Sequence, residues 1–182
     1  MKALRKRCDQ TGAILIFDEV QMGFGRTGKL FAFENFNIVP DILCLAKGMG
    51  GGMPIGAFVS SSKNMNLLTH NPALGHITTF GGHPVSCAAA LASLEVILEN
   101  ELHKKSSKKG KLFVELLKNH PAVQTIRQTG RMLAVELKPA YVVSDFVGIL
   151  QQNGLIVDQF LFNNSSFRIA PPLTITDEEI QE

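Results

Sequence analysis

"AILIFDEV", residues 13–20, is the stretch that decides the fold. It is a short, β-rich apolar run bounded by Gly12 on one side and an acidic pair on the other. A strand covered on both faces reads as a continuous apolar run rather than as an alternation, so the pattern predicts a fully buried strand. "DILCLAK", residues 41–47, repeats the form after Pro40 and ends on a lysine. "IGAFVSSS", residues 55–62, is a third apolar run of strand length. Between the first two lies "QMGFGRTGKLFAFENFNIVP", residues 21–40, rich in Gly and Phe, which reads as a loop with one helical turn. Because α/β sheets bind ligands at their strand ends, the charges that end the first two runs are candidate functional residues.

Farther along, the texture becomes helical. In residues 83–121, Leu91, Leu94, Leu98 and Leu102 hold a helical period, and Leu112 with Leu116 resumes it. Pro84 suits a first-turn position and Pro121 ends the segment, which predicts one long helix with Gly110 as a candidate kink. The lysines at 104, 105, 108, 109 and 111 could form an anionic-ligand patch; a solvated helix face is the more ordinary reading. After Pro121, "RMLAVEL" alternates like a strand, "VSDFVGILQQNG" reads as a short helix ending at a glycine cap, and "LIVDQF" and "SFRIAPPL" read as strands. The expected organisation is a partial large domain over residues 1–118, ending in a long interdomain helix, and a small α+β domain over residues 119–182, truncated at its end.

Composition narrows the function classes. The 182 residues carry 18 basic and 16 acidic side chains, a net charge of +2, which gives no case for a nucleic-acid or membrane partner. The three cysteines, Cys8, Cys44 and Cys87, are far apart, which disfavours a disulfide framework and fits a reducing compartment. Neither they nor the five histidines have the spacing of a metal site. The basic start has too short an apolar run for a signal peptide, and Ala3, Leu4 and Cys8 fit an amphipathic helix better; a transit peptide is the weaker alternative. No run approaches transmembrane length. The expectation is a soluble, cytoplasmic protein.

Lys47 carries the chemical question. A lysine after a strand is ordinarily a surface residue whose stem covers apolar atoms. Here it is followed by Gly48, Gly50, Gly51 and Gly52, backbone with few side chains, so something is expected to approach it closely. A phosphate-binding P-loop is excluded, since no Gly-Lys pair in the chain is followed by Ser or Thr. A Schiff base remains: a desolvated lysine amine attacks a carbonyl, and with pyridoxal phosphate it needs a carboxylate opposite the ring nitrogen to keep the pyridinium protonated. Asp18, at the end of the first strand, is the candidate, although a helix cap or loop carboxylate is the alternative for it.

"LIFDEVQMGFGRTGKLFAFE", "PDILCLAKGMGGGMPIGAF", "TTFGGHP" and "RIAPPLTIT", in that order, resemble the class III pyridoxal-phosphate aminotransferases, a group that includes ornithine and acetylornithine aminotransferases. The resemblance covers nearly the whole chain. It implies a fold-type I transferase: part of a large domain with a mostly parallel sheet, plus a small C-terminal α+β domain. By that resemblance Asp18 pairs with the pyridine nitrogen and Gln21 bonds the ring hydroxyl. Lys47 is the Schiff-base lysine, Thr79 reaches the phosphate of the neighbouring subunit's cofactor, and Arg168 grips the substrate carboxylate. A surface strand arginine is the alternative for Arg168.

The implied reaction is transamination between an amino donor (acetylornithine, ornithine or another ω-amino compound) and a keto acid such as 2-oxoglutarate, in a homodimer. His83 stands where many relatives carry Asn. Family members are about twice this length, so the chain is expected to correspond to their C-terminal half and to be an incomplete enzyme on its own. The alternative is a non-catalytic remnant or subunit that associates with a partner supplying the other half.

Overall fold

The computed structural model describes residues 1–182, which divide into two compact units. One comprises Met1–Gly25 and Lys29–Glu101; the other comprises Arg26–Gly28 and Leu102–Glu182.

The first unit opens with the expected amphipathic helix, α1 (Lys2–Thr11), closed by Gly12 in the left-handed conformation. Its Cys8 is buried against Leu15 and Ile38. Three strands follow, β1 (Ile16–Asp18), β2 (Ile42–Leu45) and β3 (Ala57–Ser60), in the spatial order β1-β2-β3. β1 and β2 are parallel, with Ile16 opposite Ile42 and Asp18 opposite Cys44; β2 and β3 are antiparallel. Asp41 fastens the corner: its Oδ2 accepts from the Leu15 amide at 2.7 Å and from Arg5 Nη1 of α1 at 2.8 Å.

The expectation of a fully buried first strand is corrected. β1 is three residues long and lies at a sheet edge, and Ile14 and Ile16 are 55% and 56% exposed. Successive strand residues point to opposite faces. Leu15 and Phe17 turn into the cluster with Cys8 and Ile38, while Ile14, Ile16 and Asp18 take the open face. The alternation was hidden because both faces carry apolar residues. The long loop behaves as read, with one 3₁₀ turn at Ala32–Phe36. A four-residue helix, α2 (Ser62–Met65), is capped by Ser61, whose Oγ accepts from the Asn64 amide.

The single long helix is also corrected. There are two, α3 (Pro84–Glu99) in the first unit and α4 (Leu102–Leu117) in the second. Asn100 ends α3, with its side chain turned back to the Val96 carbonyl at 3.0 Å, and Glu101 takes a left-handed φ of 49°. The leucine period runs straight through this break, which is why the sequence reads as continuous. Gly110 is not a kink: it lies within α4, where a Cβ would sit 1.7 Å from the Gly130 carbonyl oxygen. Glycine is needed there because a hairpin turn presses against the helix.

That hairpin belongs to the second unit's sheet of β4 (Val123–Thr129), β5 (Met132–Leu137), β6 (Asp158–Phe160) and β7 (Asn163–Ile169), ordered β4-β5-β7-β6 and antiparallel throughout. One face packs Val135, Leu137 and Phe167 on Val143 and Val147 of α5 (Val143–Gln152), with Leu117 of α4 alongside. The other face carries Ala134, Glu136, Ser166 and Arg168, the alternate residues of the same strands. Gly154, at φ 82° just beyond α5, is the expected glycine cap. The short α6 (Asp177–Gln181) follows a Thr176–Glu179 capping box. From the lysine run, Lys108 and Lys109 reach Asp177 at 3.8 and 3.6 Å. No helix is long and apolar enough to cross a membrane, and no group of three or more His, Cys, Asp or Glu residues could hold a metal ion.

Candidate active site

Parallel pairing sets the geometry at the strand ends. Because Asp18 lies opposite Cys44, β1 and β2 finish level, and Lys47 follows Cys44 by three residues. Asp18, Gln21 and Lys47 therefore leave the sheet at one end. Lys47 begins a 3₁₀ turn (Lys47–Gly50) and takes a left-handed φ of 47° after the extended Ala46. A side-chain-bearing residue held there costs about 1–3 kcal/mol, which the surrounding turn must offset. The Lys47 side chain is exposed.

Asp18 is exposed on the open face of β1, and its Oδ1 accepts from the Val20 amide at 3.0 Å. That is the loop-carboxylate arrangement foreseen as the alternative, and it engages only one of the two oxygens. Gln21 is half-buried in the turn that follows.

Glu19 went unassigned in the sequence, yet it holds this end of the unit together. It is buried, and its carboxylate accepts from the amides of Ala32 at 2.5 Å and Phe33 at 2.7 Å, at the start of the 3₁₀ turn. Its own amide donates to the Cys44 carbonyl at 2.9 Å and its carbonyl accepts from Gly23 at 2.9 Å. Glu19 is thus bonded to β2, to the turn after Asp18 and to the loop beyond. The signal was available: Leu15, Phe17 and Glu19 are alternate residues on the inward side.

Of the glycines after Lys47, Gly51 is closely approached by a helix. A Cβ on Gly51 would lie 3.0 Å from Cβ of Ser93 and 3.2 Å from the Ala89 carbonyl of α3, and Ser93 Oγ donates to the Gly48 carbonyl at 3.2 Å. A Cβ on Gly52 would meet open space. Thr79 lies elsewhere in the same unit, in a cavity of about 560 Å³ between residues 54–56 and 78–83 just ahead of α3. Asp18, Gln21 and Lys47 do not line it.

Arg168 lies on the second unit's sheet, half-buried, with its Nη2 donating to Asp158 directly across β6 and β7. Its Nε is buried and has no partner. Burial first, then the charge of Arg168, lowers the pKa of Arg26, whose Nη1 donates to the Pro171 carbonyl at 2.5 Å. Arg131, likewise unassigned in the sequence, has no exposed surface at all. Its guanidinium donates to the carbonyls of Leu173 (2.6 Å), Pro172 (3.3 Å) and Leu102 (3.1 Å) and to Ser106 Oγ. Burial, with the charge of Arg26 second, pushes it down to about 10, so it stays charged at neutral pH. Two arginines thus hold the consecutive carbonyls of residues 171–173, directly after the strand that carries Arg168.

A sequence model of the family described as aminotransferase class-III matches residues 1–182. The chain belongs to that family. Among solved structures it is similar to the ornithine aminotransferase of Toxoplasma gondii, with 34% identity and a TM-score of 0.88 over 99% of this chain and 43% of that one. That protein's active site was seen with partial occupancy of pyridoxal phosphate. An aminotransferase of Bacillus anthracis is 35% identical, with a TM-score of 0.90 over 100% of this chain and 45% of that one. The ornithine δ-aminotransferase of Plasmodium falciparum is 31% identical, with a TM-score of 0.84 over 97% and 45%. The class-III chain described here therefore spans less than half the length of these relatives. Its α/β fold agrees with theirs.

Proposed function

We propose that this chain provides the catalytic lysine and part of the cofactor and substrate sites of a pyridoxal-phosphate transaminase. The observation that carries the reading is the level ending of β1 and β2, which sends Asp18 and Lys47 out of one end of the sheet. The residues present fit the cofactor. Asp18 keeps one carboxylate oxygen clear of its local turn, on an open face, and Lys47 is held in a strained, exposed conformation. When bound, the cofactor supplies an electron sink for the electron pair left as a proton departs the amine-bearing carbon of the substrate.

Each side chain then has a task. Lys47 Nζ is the group that would hold the cofactor, and its free amine would take a proton from the substrate carbon and later return one. Asp18 stabilises a proton on the pyridine nitrogen. Gln21 bonds the ring hydroxyl. Thr79, in a turn with Gly81 and Gly82 just ahead of a helix, binds the phosphate of the neighbouring subunit's cofactor in a homodimer. Arg168 receives a substrate carboxylate, for which its planar fork is suited. The amino donor is of the ornithine, acetylornithine or ω-amino kind and the acceptor a keto acid such as 2-oxoglutarate. The first unit with α4 represents the cofactor-binding side and the second unit's sheet the small domain. A cytoplasmic setting is part of the same reading and is supported by three free thiols.

The deciding experiment is borohydride reduction in the presence of pyridoxal phosphate, followed by peptide mapping. The label is expected on Lys47. A label on another lysine, or on none, would remove the assignment.

A further inference from the structure

Resting on the reading of Thr79 as a phosphate contact, we propose that Ser86 is a further ligand of the same phosphate, donating from the buried end of the cavity ahead of α3. Most of the cavity's rim is exposed: Thr78, Thr79, Gly81, Gly82 and His83 all face solvent, whereas Ser86 is only 5% exposed. Its hydroxyl, like those of Thr78 and Thr79, forms no hydrogen bond within the chain. A Cβ on Gly81 would lie 2.5 Å from Thr78 Oγ1, so the glycine lets that hydroxyl fold over the turn. Buried hydroxyls are ordinarily bonded, and one left open onto a cavity calls for an acceptor from outside.

The backbone adds two donors. Pro84 opens α3 without an N–H, the Cys87 amide donates to the His83 carbonyl at 2.9 Å, and no side chain caps the helix. The amides of Val85 and Ser86 are left without acceptors, and at a helix start such amides point back along the axis, here toward the turn that carries Thr79. The dipole of a 16-residue helix favours an anion at that end. No Asp, Glu, Lys or Arg lines the cavity, so no fixed charge repels an anion there or neutralises it in advance. A guest that brings several acceptor oxygens and no donor satisfies these hydroxyls and amides together. A phosphate ester does so with three terminal oxygens, where a carboxylate has two. The volume of about 560 Å³ leaves room for the group and the arm it hangs from. Thr79 then holds the phosphate from the turn and Ser86 from the helix, which fixes the group between two elements rather than on one.

The test is hydrogen exchange of the whole chain, read by mass spectrometry at the amides of Val85 and Ser86, with inorganic phosphate added at constant ionic strength. Phosphate is expected to slow exchange there. Ser86→Ala should raise the phosphate concentration giving half-protection about fivefold or more, the scale of one hydrogen bond to a charged group. Ser86→Cys, close in volume but a weak donor, should shift it in the same direction. Cys87→Ala, one residue on in the same turn and outside the cavity lining, should not shift it. Pyridoxal phosphate should protect the same amides, and pyridoxal, which lacks the ester, should not. Unchanged half-protection in both Ser86 variants while Thr79→Ala raises it, or an equal shift in Cys87→Ala, overturns the proposal and leaves the Thr79 reading intact. Equal protection by pyridoxal also overturns it, since the cavity would then take the ring rather than the phosphate. If phosphate protects these amides in none of the chains, the Thr79 reading fails and this inference falls with it.

Discussion

Arg131 shows how one residue can be indispensable without touching a ligand. A buried cation lacking a counter-charge is costly unless its donors are satisfied, and here the acceptors are carbonyls and a hydroxyl drawn from α4 and from residues 172–173. Arg131→Met would leave the carbonyls of Leu102 and Leu173 without these donors, at about 1–3 kcal/mol each. A fall in stability of at least about 2 kcal/mol is expected, read by calorimetry or denaturant melting; an unchanged midpoint would show that water replaces the guanidinium freely. For Asp18 the expected loss is chemical. In a preparation that turns over, whether of this chain or of a longer protein containing it, Asp18→Asn should keep the cofactor and lose about 10²–10⁴-fold in transamination. Near-normal turnover would return Asp18 to the role of a loop carboxylate. Lys47 and Asp18 stand out as candidates in the sequence because each is a lone charge, or one of a pair, ending an apolar run. Arg131 was not, since its acceptors at Leu102 and Leu173 lie 29 and 42 residues away and only the fold brings them to it. Glu19 was half legible: the acidic pair is plain in the sequence, but strand parity, which sends its two members to opposite faces, shows only once the strand's bounds are known.

Among the elements, α1 is joined to the sheet through Asp41. The bonds from Leu15 and then from Arg5 lower the Asp41 pKa below its ordinary value of 3.8. A carboxyl lowered on folding contributes stability that is present above its unfolded value and lost as pH falls through its folded one. Acidification below about pH 4 should therefore release the Leu15 amide before the rest of the unit opens. Hydrogen exchange at Leu15 checks this, and Asp41→Asn should remove the pH dependence; a Leu15 amide equally protected in acid would rule the clasp out. Elements with a single clear signal were legible: β2 and β3 as apolar runs, β5 by alternation, α5 by period and glycine cap. β4 was missed because "VQTIRQT" is mostly polar, the price of a strand whose outer face is solvated. Its one cue was Gly130 ahead of an alternating run, the mark of a hairpin turn. The break between α3 and α4 was hidden by leucines that keep period across Asn100 and Glu101, and Gly110 misled because close packing and kinking ask for the same residue.

At the scale of the molecule, each unit leaves apolar surface in the open. In the first, β1 and β3 are both edge strands, and Ile14, Ile16, Phe58 and Val59 are exposed on or beside them. In the second, Ile156, Leu161 and Phe162 around β6 are almost wholly exposed. Unpaired strand edges beside apolar side chains are templates for association. The chain also spans only 43–45% of the relatives it matches. Purified alone, it is therefore expected to self-associate at micromolar concentration, to hold pyridoxal phosphate weakly and to show no transamination. Thr79 would not rescue it, since on the proposed reading that residue serves a neighbouring subunit. Supplying the remainder of a class-III chain, fused or as a separate polypeptide, should cover these surfaces and restore all three properties together. Sedimentation velocity gives the first readout, and glutamate formed from 2-oxoglutarate and ornithine the last. A monodisperse monomer that turns over steadily would mean that 182 residues already contain a working site, and that the exposed strands and the hairpin around β6 face water by design.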